Sequence, residues 1–587
     1  MKLHTPQGTS TSRLRRMPIA LLLMLASVVI LSACNPFADD EATPPPESTP
    51  VADASIPEQP VEETPSPEAE FSEDDDGWVV VTGRERSDPP EERTDQQVFR
   101  IAGSSEAPTT IDPALVRDTS AAFLARQVFR GLVRLDDALE PVPDLAYQIE
   151  ISPDGRLYRF HLHDGISFHD GTTITADHVK ASLERAANPA LTDGDGDSLP
   201  ARNYLDDIEG ARERMAGERD DIPGIVVIDE RTLEISLERG VVDFLERMAN
   251  PSTLIVDVDR AEIEGDWWQD PNGSGPFQLA GWDSESLITL TAHDGYVSPP
   301  LLTTVEMRVG AESVGQMQLY ETGQIDYVGV PLSVLDRIQY DGSPIPGELR
   351  EDSMNSTSFV MFNTTIPPFD QAELRQAIMQ SFPRDQVTSI MFDGRVETAE
   401  SVLPPGMWDS GQSVFPFQHD PDAARDLVDG ASVDAITIYS SGGSVPVALK
   451  YFIEEELGIT TEVVQLRWSD YIADMDNRQL GMFVLSWVAD GPDPVSFIRA
   501  LFHSESPDNY VNLSDPDVDR LLDEAAIEQD DTTRNDLLDQ VHERVLENAV
   551  VMPLYHSIDY ALVADHVNGL TTTPMGILGL ETVWIDE

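Results

Sequence analysis

Residues 1–34 constrain the fold most, because they place the rest of the chain outside the cytoplasm and leave it no disulfide. Arg15 and Arg16 precede an apolar run from Met17 to Val29, and small residues then lead to Cys34, the only cysteine of the 587-residue chain. This order of charge, apolar core and small residues is typical of a secretory signal. If processing consumes Cys34, the mature domain depends on its hydrophobic core alone.

The residues around Cys34 suggest what that processing is. Leu31-Ser32-Ala33-Cys34 resembles the lipobox of bacterial lipoproteins, in which the cysteine becomes the lipidated first residue of the mature protein. A membrane anchor or a buried free thiol are the alternatives, but the run is shorter than the ~20 apolar residues of a span, and no basic cluster follows it. The resemblance implies a signal peptide over 1–33 and a lipid-anchored protein on the outer face of the cell membrane, which is the periplasmic side where an outer membrane exists.

The strongly negative net charge of the chain limits the macromolecules that it can bind. The chain has 106 acidic and 38 basic residues, a formal net charge of −68. Such a surface repels phosphate backbones and anionic lipid heads, so we expect neither nucleic-acid binding nor polybasic membrane docking. Residues 34–96 are rich in Pro, Glu, Asp, Ser and Thr, which predicts a disordered acidic tether. The short apolar run Trp78–Val81 inside it remains unexplained by that interpretation.

The folded part begins near Gln97 and mixes strand and helix signals. Two β-rich runs flank the turn Pro153-Asp154-Gly155, which predicts a hairpin over 147–162. Thr175 is placed to cap the helix that follows. Strand-like runs at 435–439 and 483–485 enclose the helical segment 446–457, a rhythm typical of an α/β lobe.

A series of motifs resembles one family, the extracytoplasmic solute-binding proteins of peptide-type ABC transporters, which include oligopeptide, dipeptide and nickel-chelate binders. Each motif alone is weak, but they occur in the family's order from about residue 97 to 560. They are the Pro-Asp-Leu-Ala to Thr-Ala-Asp block at 143–179, Gly-Ser-Gly-Pro-Phe at 273–277, Gly-Gln-Ile-Asp at 323–326, the Phe-Asn to Arg-Gln-Ala-Ile stretch at 362–378, Val-Leu-Pro-Pro-Gly at 402–406 and Trp-Val-Ala-Asp-Gly-Pro-Asp-Pro at 487–494.

The resemblance implies an α/β, two-lobed periplasmic-binding-protein fold of type II, of the large cluster-C kind with an extra domain inserted in lobe one. It places lobe one at 97–132, 256–310 and 553–587, the extra domain at 133–255, and lobe two at 311–552.

The resemblance also implies a binding protein and no enzyme, with no cofactor. It implies a monomer that captures a small solute, which we expect to be a peptide, and delivers it to the permease and ATPase subunits of an ABC importer. A non-peptide solute such as an oligosaccharide, a metal chelate or an opine remains open, as does delivery to a sensor. A secreted hydrolase is the rival class, but the chain has no Gly-x-Ser-x-Gly elbow and no His-Glu-x-x-His motif.

Asp490 is the main candidate for ligand binding. In peptide binders of this family, an aspartate at this place in the motif pairs with the ligand's α-ammonium, and an ion pair closed off from water is strong. The alternative is that Asp490 only organises the Asp-Gly-Pro turn. Trp487 is a second candidate, which could stack on the ligand or belong to the core.

An acidic insertion gives a weak calcium candidate. Asp193, Asp195 and Asp197 alternate as in a calcium loop. The sixth place is Ser198 instead of Gly and the twelfth is Tyr204 instead of a bidentate Glu, so the segment is not an EF-hand. A solvated acidic loop is the alternative, and the sequence predicts no other metal site.

Overall fold

A computed structural model describes residues 69–74, 77–87, 97–192, 194, 196–261, 265–310, 313–340, 343–408, 415–429, 433 and 435–586. The signal peptide, Cys34, Asp193 and Asp195, as well as the side chain of Asp197, lie outside these residues, so the lipid and calcium predictions stay predictions.

The strands and helices follow one another along the whole described chain. The strands are β1 (Glu70–Glu73), β2 (Val79–Thr82), β3 (Val98–Ala102), β4 (Val133–Leu135), β5 (Pro141–Pro143), β6 (Ala146–Ile151), β7 (Leu157–Leu162), β8 (Ile225–Asp229), β9 (Thr232–Ser236), β10 (Phe277–Asp283), β11 (Leu287–Ala292), β12 (Thr304–Arg308), β13 (Tyr327–Gly329), β14 (Glu348–Phe362), β15 (Glu397–Thr398), β16 (Ala435–Ser440), β17 (Thr460–Gln465), β18 (Met482–Val488), β19 (Val551–Val563), β20 (Val567–Asn568), β21 (Thr571–Thr572), β22 (Leu578–Gly579) and β23 (Trp584–Ile585). The helices are α1 (Thr119–Val128), α2 (Ala176–Ala186), α3 (Arg202–Leu205), α4 (Ala211–Met215), α5 (Phe244–Arg247), α6 (Ser313–Glu321), α7 (Leu332–Gln339), α8 (Ala372–Ser381), α9 (Arg384–Phe392), α10 (Pro421–Val428), α11 (Val445–Phe452), α12 (Trp468–Asp476), α13 (Pro494–Phe502), α14 (Pro516–Ile527) and α15 (Asp531–Glu547).

The larger sheet has the order β10-β11-β12-β3-β13-β19-β14-β18-β16-β17, with β15 beside β19. At one end β12 and β13 both pair with β3 in parallel, and at the other end β16 pairs in parallel with β17 and β18. The predicted strands at 435–439 and 483–485 and the helix between them are present as β16, β18 and α11, but the chain also forms β17 and α12 between α11 and β18, which the sequence analysis did not predict. The mixed sheet and its helices confirm the α/β, two-lobed fold.

Two long strands join the lobes. The first half of β14 pairs with the second half of β19, next to the β3 end of the sheet, whereas residues 356–362 of β14 pair with β18. The pairing of β14 with β19 shifts register between Ser353 and Thr357. Both strands therefore run from one lobe into the other through this irregularity.

The pairing of β13 and β19 bears on two predicted boundaries. Residues 313–340 pack with the first lobe, since β13 pairs with β3 and β19 and the core of α6 and α7 includes Tyr560 and Leu562. Asp326 fixes this position, because its carboxylate accepts the backbone N–H of Arg100 at 2.8 Å. The boundary expected between residues 310 and 311 lies between β12 and α6, and the boundary expected between 552 and 553 lies within β19, so both stay predictions.

A smaller sheet, in the order β1-β2-β6-β7-β9-β8, contains the hairpin predicted at 147–162. Thr175 caps α2 as expected, with its backbone N–H donating to His178 Nδ1 at 3.0 Å. Residues of the predicted extra domain supply all of this sheet except β1 and β2. The core of this domain is continuous with the core of the second lobe.

The strands β1 and β2 correct the predicted tether. The run that the composition left unexplained forms β2, which pairs antiparallel with β6, and β1 pairs with β2. Val81 is fully buried, and Arg159 lies over the ring of Trp78 at 5.5 Å. Residues 69–74 and 77–87 are thus part of the fold, because alternate valines can cover an open sheet edge even inside an acidic, Pro-rich stretch.

Within the described residues, no helix is both long and apolar enough to cross a membrane.

Candidate functional site

A cavity of about 350 Å³ opens between the two lobes and the extra domain. The first lobe contributes α1 and the loop 575–577, the extra domain contributes residues 200–204 and 250–251, and the second lobe contributes α12 and the end of β18. All three parts of the fold therefore meet at one concave space, as expected of a ligand site.

Asp490 lies in the wall of this cavity, just after β18 ends. The turn that follows is organised by Asp493, whose carboxylate accepts the N–H groups of Val495 and Ser496 at 2.7 and 3.3 Å and pairs with Arg534. Asp493 thus caps α13, and Asp490 is left to face the cavity. The role of Asp490 in ligand binding stays a prediction.

The pKa of the Asp490 carboxyl is higher than that of an ordinary aspartate. Burial, together with the negative charge of Asp508, raises the pKa of Asp490 to about 7, although a hydrogen bond from Tyr204 and the charge of Arg126 act in the opposite direction. The carboxylate is therefore short of compensating positive charge in the ligand-free protein. A cationic group entering the cavity would stabilise it.

Trp487 also lies in the cavity wall. It is near the end of the strand β18 and pairs with Thr357 of β14. Its side chain is half-buried and packs against the core, and its indole N–H has no hydrogen-bond partner in the described part of the chain. Trp487 is therefore both a wall of the cavity and a core residue, and its stacking on a ligand remains a prediction.

The charged side chains Arg117, Asp118 and Asp508 in the cavity wall already have partners within the protein. Arg117 Nη1 of the first lobe lies 2.9 Å from Asp508 Oδ1 of the second lobe, and Asn203 Nδ2 of the extra domain donates to Asp508 Oδ2 at 2.7 Å. Asp118 caps α1 by accepting the N–H of Ala121 at 2.9 Å. The Arg117–Asp508 pair bridges the two lobes directly across the cleft.

A larger cavity of about 730 Å³ adjoins the first. The two share Arg117, Asp118, Thr119, Trp468 and Ile472. The larger one extends along the loop 104–110 toward Arg478 and Pro507. The cleft consequently continues beyond Asp490 and has room for a ligand longer than the smaller cavity alone would hold.

Sequence reasoning found Asp490 and Trp487 but missed Tyr204, Arg126 and Arg117. The first two lie together in a contiguous motif. Arg126 comes from α1, Arg117 from the segment just before it and Tyr204 from α3, and only tertiary packing brings them into one cavity with Asp490. Tyr204 drew notice solely as a residue unsuited to calcium. The described residues contain no cluster of metal-ligating side chains, and the predicted calcium residues lie outside that description.

The sequence of the chain is similar to those of known bacterial solute-binding proteins. A model of the bacterial extracellular solute-binding proteins, family 5 (middle region), matches residues 140–509. The probable deoxycholate-binding periplasmic protein YgiS of Escherichia coli (strain K12) is 28% identical, with 81% of this chain and 90% of that protein covered. The dipeptide-binding protein DppE of Bacillus subtilis (strain 168) is 23% identical, with 86% and 94% covered.

Solved structures show the same fold. The murein tripeptide binding protein MppA of Escherichia coli superimposes with a TM-score of 0.77 at 22% identity, covering 84% of this chain and 99% of that one.

Proposed function

Because the chain belongs to the bacterial extracellular solute-binding proteins of family 5, we propose that it captures peptides between its lobes and delivers them to the permease of an ABC importer. The solute bridges the lobes and stabilises the closed form, which the membrane partner recognises. Closure follows only if the ligand binds the closed form more tightly than the open one.

The observation that carries this proposal is the position of Asp490. A carboxylate in the wall of an interlobe cavity, with a hydrogen bond from Tyr204 and a pKa raised to about 7, is a suitable partner for an ammonium group. Every unmodified peptide has such a group at its N-terminus. The adjoining larger cavity leaves the following residues room without dictating their identity.

The variant Asp490→Asn tests the proposal in the mature chain carrying Cys34→Ser. We expect the affinity for a neutral free-amine tripeptide to fall by at least about thirtyfold, since truncating one member of a buried charge pair costs about 2–5 kcal/mol. Isothermal titration calorimetry measures the affinity. Asp517→Asn is the matched control, because Asp517 lies on the exposed side of α14 and its side chain is 60% exposed. Equal affinities for the two variants would contradict the proposal.

Membrane attachment through Cys34 is the second part of the proposal. The lipobox-like sequence Leu31–Cys34 and the apolar run before it support it. In the native host, Cys34→Ser should move the protein from the membrane fraction to the soluble fraction and prevent incorporation of labelled fatty acid. Retention of the variant in the membrane would contradict a lipid anchor.

An amphipathic non-peptide solute is a second candidate. The walls of the cavity include Phe123, Trp468, Trp487 and Met575, which offer a large apolar surface. The relative YgiS, named as a probable deoxycholate-binding protein, belongs to the same family. A rise in Tm with deoxycholate but with no free-amine peptide would favour this candidate over the first.

A further inference from the structure

We propose that Arg126 binds a carboxylate of the ligand, so that the solute carries a negative group close to the ammonium that Asp490 binds. This inference rests on the proposed function and narrows its substrate class. The selected ligands would be zwitterionic at their N-terminal end, namely dipeptides or peptides with an acidic residue at their start.

Arg126 lies in the last turn of α1 and lines the same cavity as Asp490. In the described part of the chain its guanidinium forms no hydrogen bond and no ion pair, and the charges that act on it most are those of Asp490 and Arg130. A guanidinium has five N–H donors and cannot lose its charge at physiological pH. Arg126 therefore presents its donors to the cavity.

The other charged residues of the cavity do not compete for the ligand in the same way. Arg117 and Asp508 form an ion pair at 2.9 Å, and Asp118 caps α1. Among the charged residues described in the wall of this cavity, Asp490 and Arg126 have neither an ion pair nor a helix-capping bond. The cavity thus offers one anion and one cation to whatever enters it.

Electrostatics support this pairing with a zwitterion. Burial, with the repulsion of Arg130, lowers the pKa of Arg126 to about 10 despite the attraction of Asp490. Asp490 is also destabilised in its charged form. A ligand with an ammonium alone would compensate Asp490 but bring a second cation next to Arg126. A ligand with both charges compensates both residues and adds a charge-assisted hydrogen bond to the guanidinium.

The size of the cavity is compatible with a short ligand that carries both charges. In an extended chain, one residue spans about 3.3–3.6 Å, so the two termini of a dipeptide are separated by roughly two such steps. A cavity of about 350 Å³ holds a ligand of that size. An acidic side chain on the first residue of a longer peptide would place a carboxylate at a similar distance, with the remaining residues in the adjoining cavity.

Calorimetry with matched peptides tests the inference in the mature chain carrying Cys34→Ser. One pair is Glu-Ala-Ala and Gln-Ala-Ala, which differ in the first side chain, and the other is Ala-Ala and Ala-Ala-amide, which differ in the terminal carboxylate. We expect the carboxylate form of at least one pair to bind about tenfold or more tightly, and the pair that shows the preference identifies the source of the carboxylate.

Arg126→Gln assigns that preference to the guanidinium. The preference should fall to within about twofold of unity, and the peptide without the carboxylate should bind more tightly than to the wild type, because a cation beside its ammonium is removed. Arg520→Gln is the control for net charge, since Arg520 lies on the surface of α14 with a side chain 52% exposed. Should Arg126→Gln fail to fold, Arg126→Lys, which keeps the charge but loses the fork, should show an intermediate preference.

The outcomes separate this inference from the function on which it rests. Free-amine peptides that bind without any carboxylate preference, or a preference that survives in the Arg126 variants, would overturn the role of Arg126 and leave peptide capture intact. No binding of any free-amine peptide would overturn both.

Discussion

Asp490 illustrates how a single buried carboxylate can make binding depend on pH. Its pKa of about 7 in the ligand-free protein arises from burial and from Asp508. An ammonium ligand lowers that pKa, so binding releases a proton wherever the free carboxyl is protonated.

We expect the affinity for a free-amine peptide to rise between pH 5 and 7, by at most about tenfold per pH unit, and to level off above pH 7 until the ligand amine itself deprotonates. Calorimetry in buffers of different ionisation enthalpy measures both the affinity and the proton release. The same titration of Asp490→Asn should be flat in this range. A pH-independent affinity for the wild type would show that Asp490 does not pair with the ligand.

Glu246 is a second destabilised carboxyl, outside the cavity. Burial, Asp493 and Asp243 raise its pKa to about 9, and its Oε2 has no hydrogen-bond partner among the described residues. A carboxyl whose pKa is higher in the folded than in the unfolded state stabilises the fold at low pH, and this contribution is lost as the pH rises toward 9.

Glu246→Gln should therefore raise the free energy of unfolding at pH 8 by about 1–3 kcal/mol and change it little at pH 4.5. Urea denaturation of the ligand-free protein at the two pH values measures the difference. A variant that is equally or less stable than the wild type at pH 8 would contradict the assigned cause of the raised pKa.

At the scale of elements, the segment that contains β1 and β2 is a strap on the extra domain. Beyond β2, Arg84 Nη2 lies 2.7 Å from Glu581 Oε2 and 3.8 Å from the buried Asp144. Burial opposes the charge of Glu581, but Arg130 and Arg84 hold its pKa below the usual range. The strap thus ties the chain before residue 97 to the extra domain and to the C-terminal segment.

Removing the positive charge of Arg84 should lower the stability of the fold. Arg84→Met keeps most of the side-chain volume but leaves Glu581 with one cation fewer, and we expect the free energy of unfolding to fall by about 1–3 kcal/mol at pH 7. Arg86→Met is the control, since Arg86 is exposed and, among the described residues, its side chain donates to the backbone oxygens of Asp164 and Gly165 alone. Equal effects of the two substitutions would show that the buried network does not hold the strap.

The strap is an example of a feature that could not be predicted from the sequence. The hairpin at 147–162, the cap at Thr175 and the position of Asp490 depend on local patterns and contiguous motifs, so the sequence predicts them. The pairing of β2 with β6 depends on an open edge far along the chain, which composition cannot reveal. Tyr204 and Arg126 reach Asp490 through packing between α3, α1 and β18, so no local pattern could place them in the site.

For the whole molecule, closure is supported by bonds that need no ligand. The Arg117–Asp508 pair crosses the cleft, and Asn203 adds a second bond to the same carboxylate. Arg212 of the extra domain lies 3.2 Å from Glu505 of the second lobe. Such bonds stabilise the closed form relative to the open form before any solute binds.

Arg117→Gln should shift the ligand-free protein toward the open form. We expect a larger radius of gyration in small-angle X-ray scattering and a similar loss of affinity, about threefold to thirtyfold, for every peptide tested. A loss confined to some peptides would instead mean that Arg117 contacts the ligand itself. Arg520→Gln, on the surface of α14, controls for the change in net charge.

The measurement that tests the central claim most directly is calorimetric titration of the wild-type protein with Glu-Ala-Ala and with its N-acetyl twin. The two peptides differ in the ammonium group alone. If Asp490 captures peptides by that group, the free-amine form should bind and the acetylated form should bind at least about thirtyfold more weakly. Equal binding of the two forms, or binding of neither, would contradict the account.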